Sequence, residues 1–187
     1  MQIDTPRFVL RDFEQADRAA FLGYQMDPRY RRLYDLGEAY ARQATDLFSR
    51  FLTWQHETPR QNYQFGLFER STGRLCGCAG LRTSGSTERH AALGIELTPS
   101  DWGRYRLAVE VARALVAFGF RELGLDLILG STASGNRRAE RLARWFGAEI
   151  VAQRTGADWM KARDWVEVDW ALSRSRWELT ETSKARP

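Results

Sequence analysis

Residues 107–122 limit most strongly what this chain can fold into. Leu107, Val109, Val111, Leu115, Val116, Phe118 and Phe120 fall on nearly every side of the predicted helix. A helix that is apolar all round has to be buried. Gly124 supplies its stop signal. Residues 90–97 before it read as a strand. Residues 127–131 after it carry a continuous apolar run, which predicts a strand covered on both faces. Strand, buried helix and strand in that order imply a parallel crossover, so the sheet cannot be purely antiparallel.

The rest of the chain surrounds that unit. Phe8–Arg11 reads as a short strand, with Asp12 capping a helix through about Tyr24. Residues 38–56 show helical spacing at Tyr40, Ala44, Leu47, Phe48, Phe51 and Leu52, ended by Pro59. Residues 62–69 and 75–83 flank the turn Ser71–Arg74 and predict a hairpin. Gly85 and Ser86 mark the next connection, and the strand at 90–97 completes an antiparallel meander. Residues 136–146 predict a second helix, with Asn136 as N-cap and Gly147 as C-cap. Val166, Val168, Trp170 and Leu172 alternate with other residues, as in a half-buried strand. The sum is an α+β domain. Residues 1–177 read as one domain and 178–187 as a polar tail that frays.

With 187 residues, 43% apolar and 28% charged, the chain can bury a real core. No apolar run approaches the roughly 20 residues that span a bilayer, and there is no apolar leader, so a cytoplasmic protein is expected. Cys76 and Cys78 lie two apart on one strand and read as small buried hydrophobes. Neither His56 nor His90 stands at ligand spacing to them, so no metal site is expected. The net charge of +4 suits an anionic ligand. No basic block of five or more residues marks a nucleic-acid partner. The aromatic content is read as a pointer to a homodimer.

The chemistry-bearing stretch runs from Gly94 to Ala108. A strand ends at Leu97, a loop holding Gly103 follows, and the buried helix begins near Leu107. A helix N-terminus presents unpaired N–H groups and the positive end of the macrodipole, and glycine lets backbone approach a pyrophosphate. Arg104 and Arg106 add charge at that point. Glu96, on the strand beside this loop, is either a general base or a carboxylate on a solvated strand face. His90, the arginines of the helix at 136–146 (Arg137, Arg138, Arg141, Arg144) and Trp159, Trp165 and Trp170 read as ordinary surface or core. Glu110 reads as structural, paired with Arg113 one helical turn on.

Four stretches carry a family resemblance. Thr5–Phe13 is similar to an opening T-x-R-L-x-L-R strand, and Gly73–Arg82 to a G-x-L-I-G-x-x-G-L hairpin strand. Gly94–Arg104 with Val109 and Glu110 resembles G-Y-x-L-x-P-x-x-W-G-K-G-x-A-T-E-A, and Asn136–Gly147 resembles N-x-x-S-x-R-V-L-E-K-L-G. Together, in order, they resemble the GNAT superfamily of N-acetyltransferases, in the branch of the ribosomal-protein-alanine N-acetyltransferases. The resemblance implies a central, mostly antiparallel twisted sheet with one parallel, splayed strand pair and flanking helices. It implies acetyl-CoA as co-substrate and direct transfer to a primary amine, on a protein N-terminus or a small molecule. Leu97 and Thr98 would meet the pantetheine arm, with a backbone N–H near Leu97 polarising the thioester carbonyl. Gly103, Arg104, Tyr105, Arg106, Leu107 and Ala108 would hold the pyrophosphate, and Asn136 would reach the pantetheine.

Two positions depart from the family pattern. Tyr105 stands where a second loop glycine is usual, and the loop is one residue longer before Glu110. Ala139 stands where a serine often serves as the acid for the leaving thiolate. These departures keep a second expectation open, a CoA-thioester-binding module without turnover. A third, a basic RNA- or ribosome-associated protein, would show a steep loss of binding with salt.

Overall fold

Alternating apolar positions and a small number of helix stops account for the elements of the computed structural model. It describes residues 1–34, 36–37, 39–83 and 89–184, the side chains of residues 183 and 184 excepted. In chain order these are β1 (Gln2–Asp4), β2 (Phe8–Asp12), α1 (Arg18–Gln25), α2 (Pro28–Leu33), α3 (Tyr40–Trp54), β3 (Asn62–Glu69), β4 (Leu75–Arg82) and β5 (His90–Leu97). Then follow α4 (Tyr105–Arg121), β6 (Leu127–Ala133), α5 (Arg137–Phe146), β7 (Glu149–Thr155), α6 (Asp158–Lys161), β8 (Val166–Ser173) and α7 (Arg174–Lys184). The expected connection at Gly85 and Ser86 lies outside the described residues.

The chain divides into two compact units, Met1–Ser84 with Gly94–Leu115, and Gly85–Leu93 with Val116–Pro187. In the first, the strand order is β1-β2-β3-β4-β5, and β1 to β4 pair antiparallel. Helices α1 and α3 bury Phe21, Tyr24 and Gln25, and Ala44, Phe48 and Phe51, at i, i+3, i+4 and i, i+4, i+7 spacing. These faces meet Phe13, Phe68 and Leu75 in an aromatic core, where Phe13 stacks on Phe51 at 5.5 Å. Pro28 opens α2 at a position where its missing N–H costs nothing. Asp27 caps that helix by accepting from the Arg29 N–H at 2.8 Å.

In the second unit the order is β5-β6-β8-β7. The pairing of β5 with β6 is parallel and covers three positions, His90↔Leu127 to Ala92↔Leu129. The fold is thus a mixed α/β arrangement, mostly antiparallel with one parallel pair and flanking helices. Val168, Trp170 and Leu172 alternate into the core, as the sequence predicts. Asn136 caps α5 by accepting from the Ala139 N–H at 3.1 Å, and Gly147 ends it at φ 84°, a left-handed stop that glycine adopts without strain.

Several expectations are corrected. Asp12 caps no helix; its carboxylate is bound at both oxygens by Arg60, at 2.6 and 3.1 Å, and α1 starts six residues later. The strand at 90–97 follows β4 in the sheet order, and its first half pairs parallel with β6, as the crossover implies. Strand β6 is not covered on both faces: Ile128 is buried while Leu129 is 37% exposed. Period two decides this, and the continuous apolar run concealed it. Strands β1 and β7 and helix α2 add to the elements that the sequence predicts. Helix α7 continues through the polar segment after Trp177 to Lys184.

Candidate functional site

The side chain of Glu96 is not on a solvated face. Helices α1 and α2 bring two neutral donors to it: Gln25 Nε2 donates to Oε1 at 2.5 Å, and the Tyr30 hydroxyl donates to Oε2 at 2.5 Å. The Tyr40 hydroxyl of α3 donates to Gln25 Oε1, so the amide must turn its NH₂ toward the carboxylate. Burial pushes the Glu96 carboxyl above its usual range. Hydrogen bonds from Tyr30, Tyr24 and Gln25 and the charge of Arg82 offset this only in part. The same burial raises the Tyr30 phenol and lifts Tyr34 to about 12. A carboxylate held by neutral donors with an elevated pKa is suited to take a proton near neutral pH.

The backbone next to Glu96 is tightly specified. The Thr98 N–H donates to the Cys76 carbonyl at 2.8 Å, on the β4 side. By strand alternation the Leu97 N–H then points to the opposite edge of β5. The Trp102 indole N–H donates to the Leu97 carbonyl at 2.9 Å. Gly77 is required opposite them: it takes φ 146°, and a Cβ there would overlap the Glu96 carbonyl oxygen. Only glycine meets both conditions without strain.

The loop after Leu97 is organised by Asp101, whose side chain is 1% exposed. It accepts from Arg74 at 2.7 and 3.1 Å, from Thr98 Oγ1 at 2.8 Å and from Arg104 at 3.2 Å. Burial pushes this carboxyl up, but the Arg74 and Thr98 hydrogen bonds outweigh it and hold it below its usual value. Gly103 takes φ 90°, a conformation that favours glycine. Gly103, Arg104 and Arg106 are exposed at the first turn of α4, whose N–H groups face outward from the helix start. The Leu107 N–H is already bonded to the Arg104 carbonyl at 2.9 Å and the Tyr105 N–H to the Gly103 carbonyl at 3.0 Å. This narrows the amide donors at the turn, although its exposed glycine and two cations fit a phosphate group. Helix α4 is tied down by Glu110, which accepts from Thr5 at 2.6 Å and Arg7 at 2.6 Å. These partners lie in the N-terminal segment, where the sequence pointed to Arg113 in the same helix.

Asn136 and Ala139 belong to the second unit. The Asn136 side-chain oxygen is engaged as the α5 cap. The arginines at both ends of α5 are exposed, and Arg137 and Arg144 pair with Glu140 at 2.9 and 3.2 Å, as on a solvated helix face. Trp170 is core, with its indole N–H on Thr132 at 3.0 Å. Cys76 and Cys78 are free and buried, and burial lifts the Cys76 thiol to about 11 and raises Cys78 further.

Sequence reasoning missed Gln25, Tyr30 and Tyr40. Their only signal was the tyrosine and glutamine content of residues 24–40, which carries no motif because partners from three helices meet only in the fold.

The acetyltransferase (GNAT) domain family matches residues 7–149. The uncharacterized N-acetyltransferase YoaA of Bacillus subtilis is 28% identical over 141 residues, covering 75% of this chain and 78% of that protein. Two solved structures share the fold. Spermidine N-acetyltransferase from Vibrio cholerae, in complex with CoA and spermine, has a TM-score of 0.74 at 16% identity, over 91% of this chain and 98% of that one. A protein proposed to be a ribosomal-protein-serine acetyltransferase from the same organism has a TM-score of 0.69 at 22% identity, over 92% of this chain and 97% of that one. With a family match across more than half of its length, on a fold with one parallel strand pair and a glycine turn opening a buried helix, this chain belongs to the GNAT acetyltransferases.

Proposed function

We propose that this chain moves an acetyl group from acetyl-CoA directly to a primary amine, with Glu96 as the base that takes the ammonium proton, directly or through one water. The observation that carries the reading is the Glu96 carboxylate, half-buried, elevated in pKa and held by neutral hydrogen-bond donors. The deprotonated amine attacks the thioester carbonyl. The oxyanion that forms is met by the outward-facing N–H of Leu97, and collapse expels the CoA thiolate, which takes up a proton. Gly103, Arg104 and Arg106, with the turn through Tyr105, Leu107 and Ala108, bind the pyrophosphate. Leu97 and Thr98 meet the pantetheine, and Asn136 keeps the role its motif implies. Neither cysteine serves as a nucleophile, since both thiols stay protonated at neutral pH. The acceptor is a small-molecule amine or a protein N-terminus, the latter following the ribosomal-protein branch that the four motifs resemble. One domain over residues 1–177 carries the activity.

The test is acetyl-CoA turnover against an amine panel, with Glu96→Gln. A fall of about 10²- to 10⁴-fold in kcat, with CoA affinity kept, is expected. A second reading, a CoA-thioester-binding module without turnover, is favoured by Ala139 and by the engaged Leu107 N–H. Normal CoA binding with no amine acetylated, and no effect of Glu96→Gln, would select it.

A further inference from the structure

The neighbourhood of Glu96 holds a cation to which the proposed function gives no contact with the acceptor. Arg82, at the end of β4, places Nη2 3.2 Å from the buried Gln64 Oε1 and its guanidinium carbon 5.7 Å from the centre of the Trp54 ring. In the same unit Arg7, Arg11, Arg60 and Arg74 each pair with a carboxylate. Among the described residues Arg82 meets a neutral amide and an indole face instead, and its residue is exposed.

Its position relative to β5 is marked by Gly94. Arg82 Nη2 lies 3.7 Å from where a Cβ on Gly94 would stand. Gly94 and Glu96 are two residues apart on β5, so they share a face and lie about 7 Å apart. One strand face therefore offers the Glu96 carboxylate and, beside the next position on that face, a cation backed by an aromatic ring. We propose that the acceptor is zwitterionic: its primary amine meets Glu96 and its own carboxylate pairs with Arg82, as in an α-amino acid. This rests on Glu96 meeting the acceptor amine.

The dimensions agree. Nitrogen and carboxylate oxygen of an α-amino acid lie about 3 Å apart by ordinary bond lengths. Adding a hydrogen bond of about 2.8 Å at each end spans at most about 8.6 Å, and less when the contacts are bent. A guanidinium resting on an indole and a buried amide has lost part of its water, which strengthens a carboxylate contact. A polyamine would bring its second cation against Arg82, an unfavourable approach.

The experiment compares acetylation of L-phenylalanine, L-phenylalaninamide, 2-phenylethylamine and spermidine by the full chain and by Arg82→Met and Arg82→Lys. Phenylalanine should give the highest kcat/KM, falling about 10- to 100-fold in Arg82→Met and recovering in part in Arg82→Lys. Turnover of 2-phenylethylamine should fall much less than that of phenylalanine, because Arg82 reaches it only through its charge on Glu96, and the turnover kept shows that the variant is folded. Preference for the amide, the amine or spermidine, or an equal loss on every acceptor in Arg82→Met, overturns the proposal. Binding of N-acetyl-L-phenylalanine against N-acetyl-2-phenylethylamine, by calorimetry with CoA present, separates the two levels. Binding that needs both the carboxylate and Arg82 keeps the subsite even without turnover, whereas equal binding of both products removes it.

Discussion

Truncating Arg74 to alanine removes two of the four side-chain hydrogen bonds that Asp101 accepts. Hydrogen bonds to a charged group are worth about 1.5–3 kcal/mol each. The Arg74 side chain is 41% exposed, so solvent screening removes roughly half of that total. Asp101 is 1% exposed and would keep only Thr98 and the more exposed Arg104. A net cost of about 2–3 kcal/mol is therefore expected. At this chain length each kcal/mol moves the midpoint by about 2–4 °C, giving a loss of about 5–10 °C. Arg104→Ala, losing one 3.2 Å contact from an exposed side chain, should cost about 0.5 kcal/mol. Asp101→Asn should be destabilising alone, and less than additive with Arg74→Ala by about 1.5 kcal/mol. The pH dependence has a definite sign. The Asp101 carboxyl is depressed in the folded state. Its contribution is present above its unfolded pKa, about 3.9, and is lost as pH falls through the folded value. Thermal unfolding followed by circular dichroism, at several pH values between 7 and 3, measures the whole cycle. A coupling below about 0.5 kcal/mol, or a gap between wild type and Asp101→Asn that does not shrink toward pH 3, would refute the reasoning.

Four further outcomes follow from the same geometry. Because Glu96 is raised above its unfolded value, stability should decline as pH climbs from about 4.5 through the folded pKa, and Glu96→Gln should abolish that decline while lowering activity; urea unfolding from pH 4 to 8 reads it. The acid limb of kcat/KM should lie above about pH 4.5 and disappear in the residual activity of that variant. Gly77→Ala combines a backbone conformation that favours glycine with a clash on the Glu96 carbonyl. It should cost about 3–5 kcal/mol and lower kcat by displacing Leu97; a variant as stable as the parent would contradict the close approach. Cys76 should resist iodoacetamide at pH 8, and Cys76→Ser should leave steady-state kinetics without a burst, since burial lifts the thiol to about 11.

The parts of the fold written locally were legible. The buried helix, the hairpin at 62–82 and the capped helix between Asn136 and Gly147 each have their cause within a few residues. Strand β7 was not, because all its residues are exposed, and a strand that buries nothing leaves no apolar period. Helix α2 is a short run of arginine and tyrosine, too brief to show a face. At the site, Glu96 was found as a candidate, but sequence left it divided between base and surface. What decides its environment is Gln25, Tyr30 and Tyr40, all far earlier in the chain, and no spacing rule links them to β5. Asp101, the anchor of the loop, went unmarked for the same reason: Arg74, which binds it, lies in the turn before β4, far earlier in the chain.

The donors around Glu96 all point one way. Gln25 can offer only its NH₂, since Tyr40 occupies its oxygen, and Tyr30 spends its proton on the other carboxylate oxygen. These dipoles are set for the anion before any acceptor arrives, so taking up a proton runs against a fixed polarisation that cannot relax at Gln25. The neutral acid has one accommodation within this set, with the Tyr30 hydroxyl swung round to accept. A proton gained in one turnover is thus favoured by burial and opposed by the donors, and the fixed orientation at Gln25 limits how far burial can raise the Glu96 carboxyl.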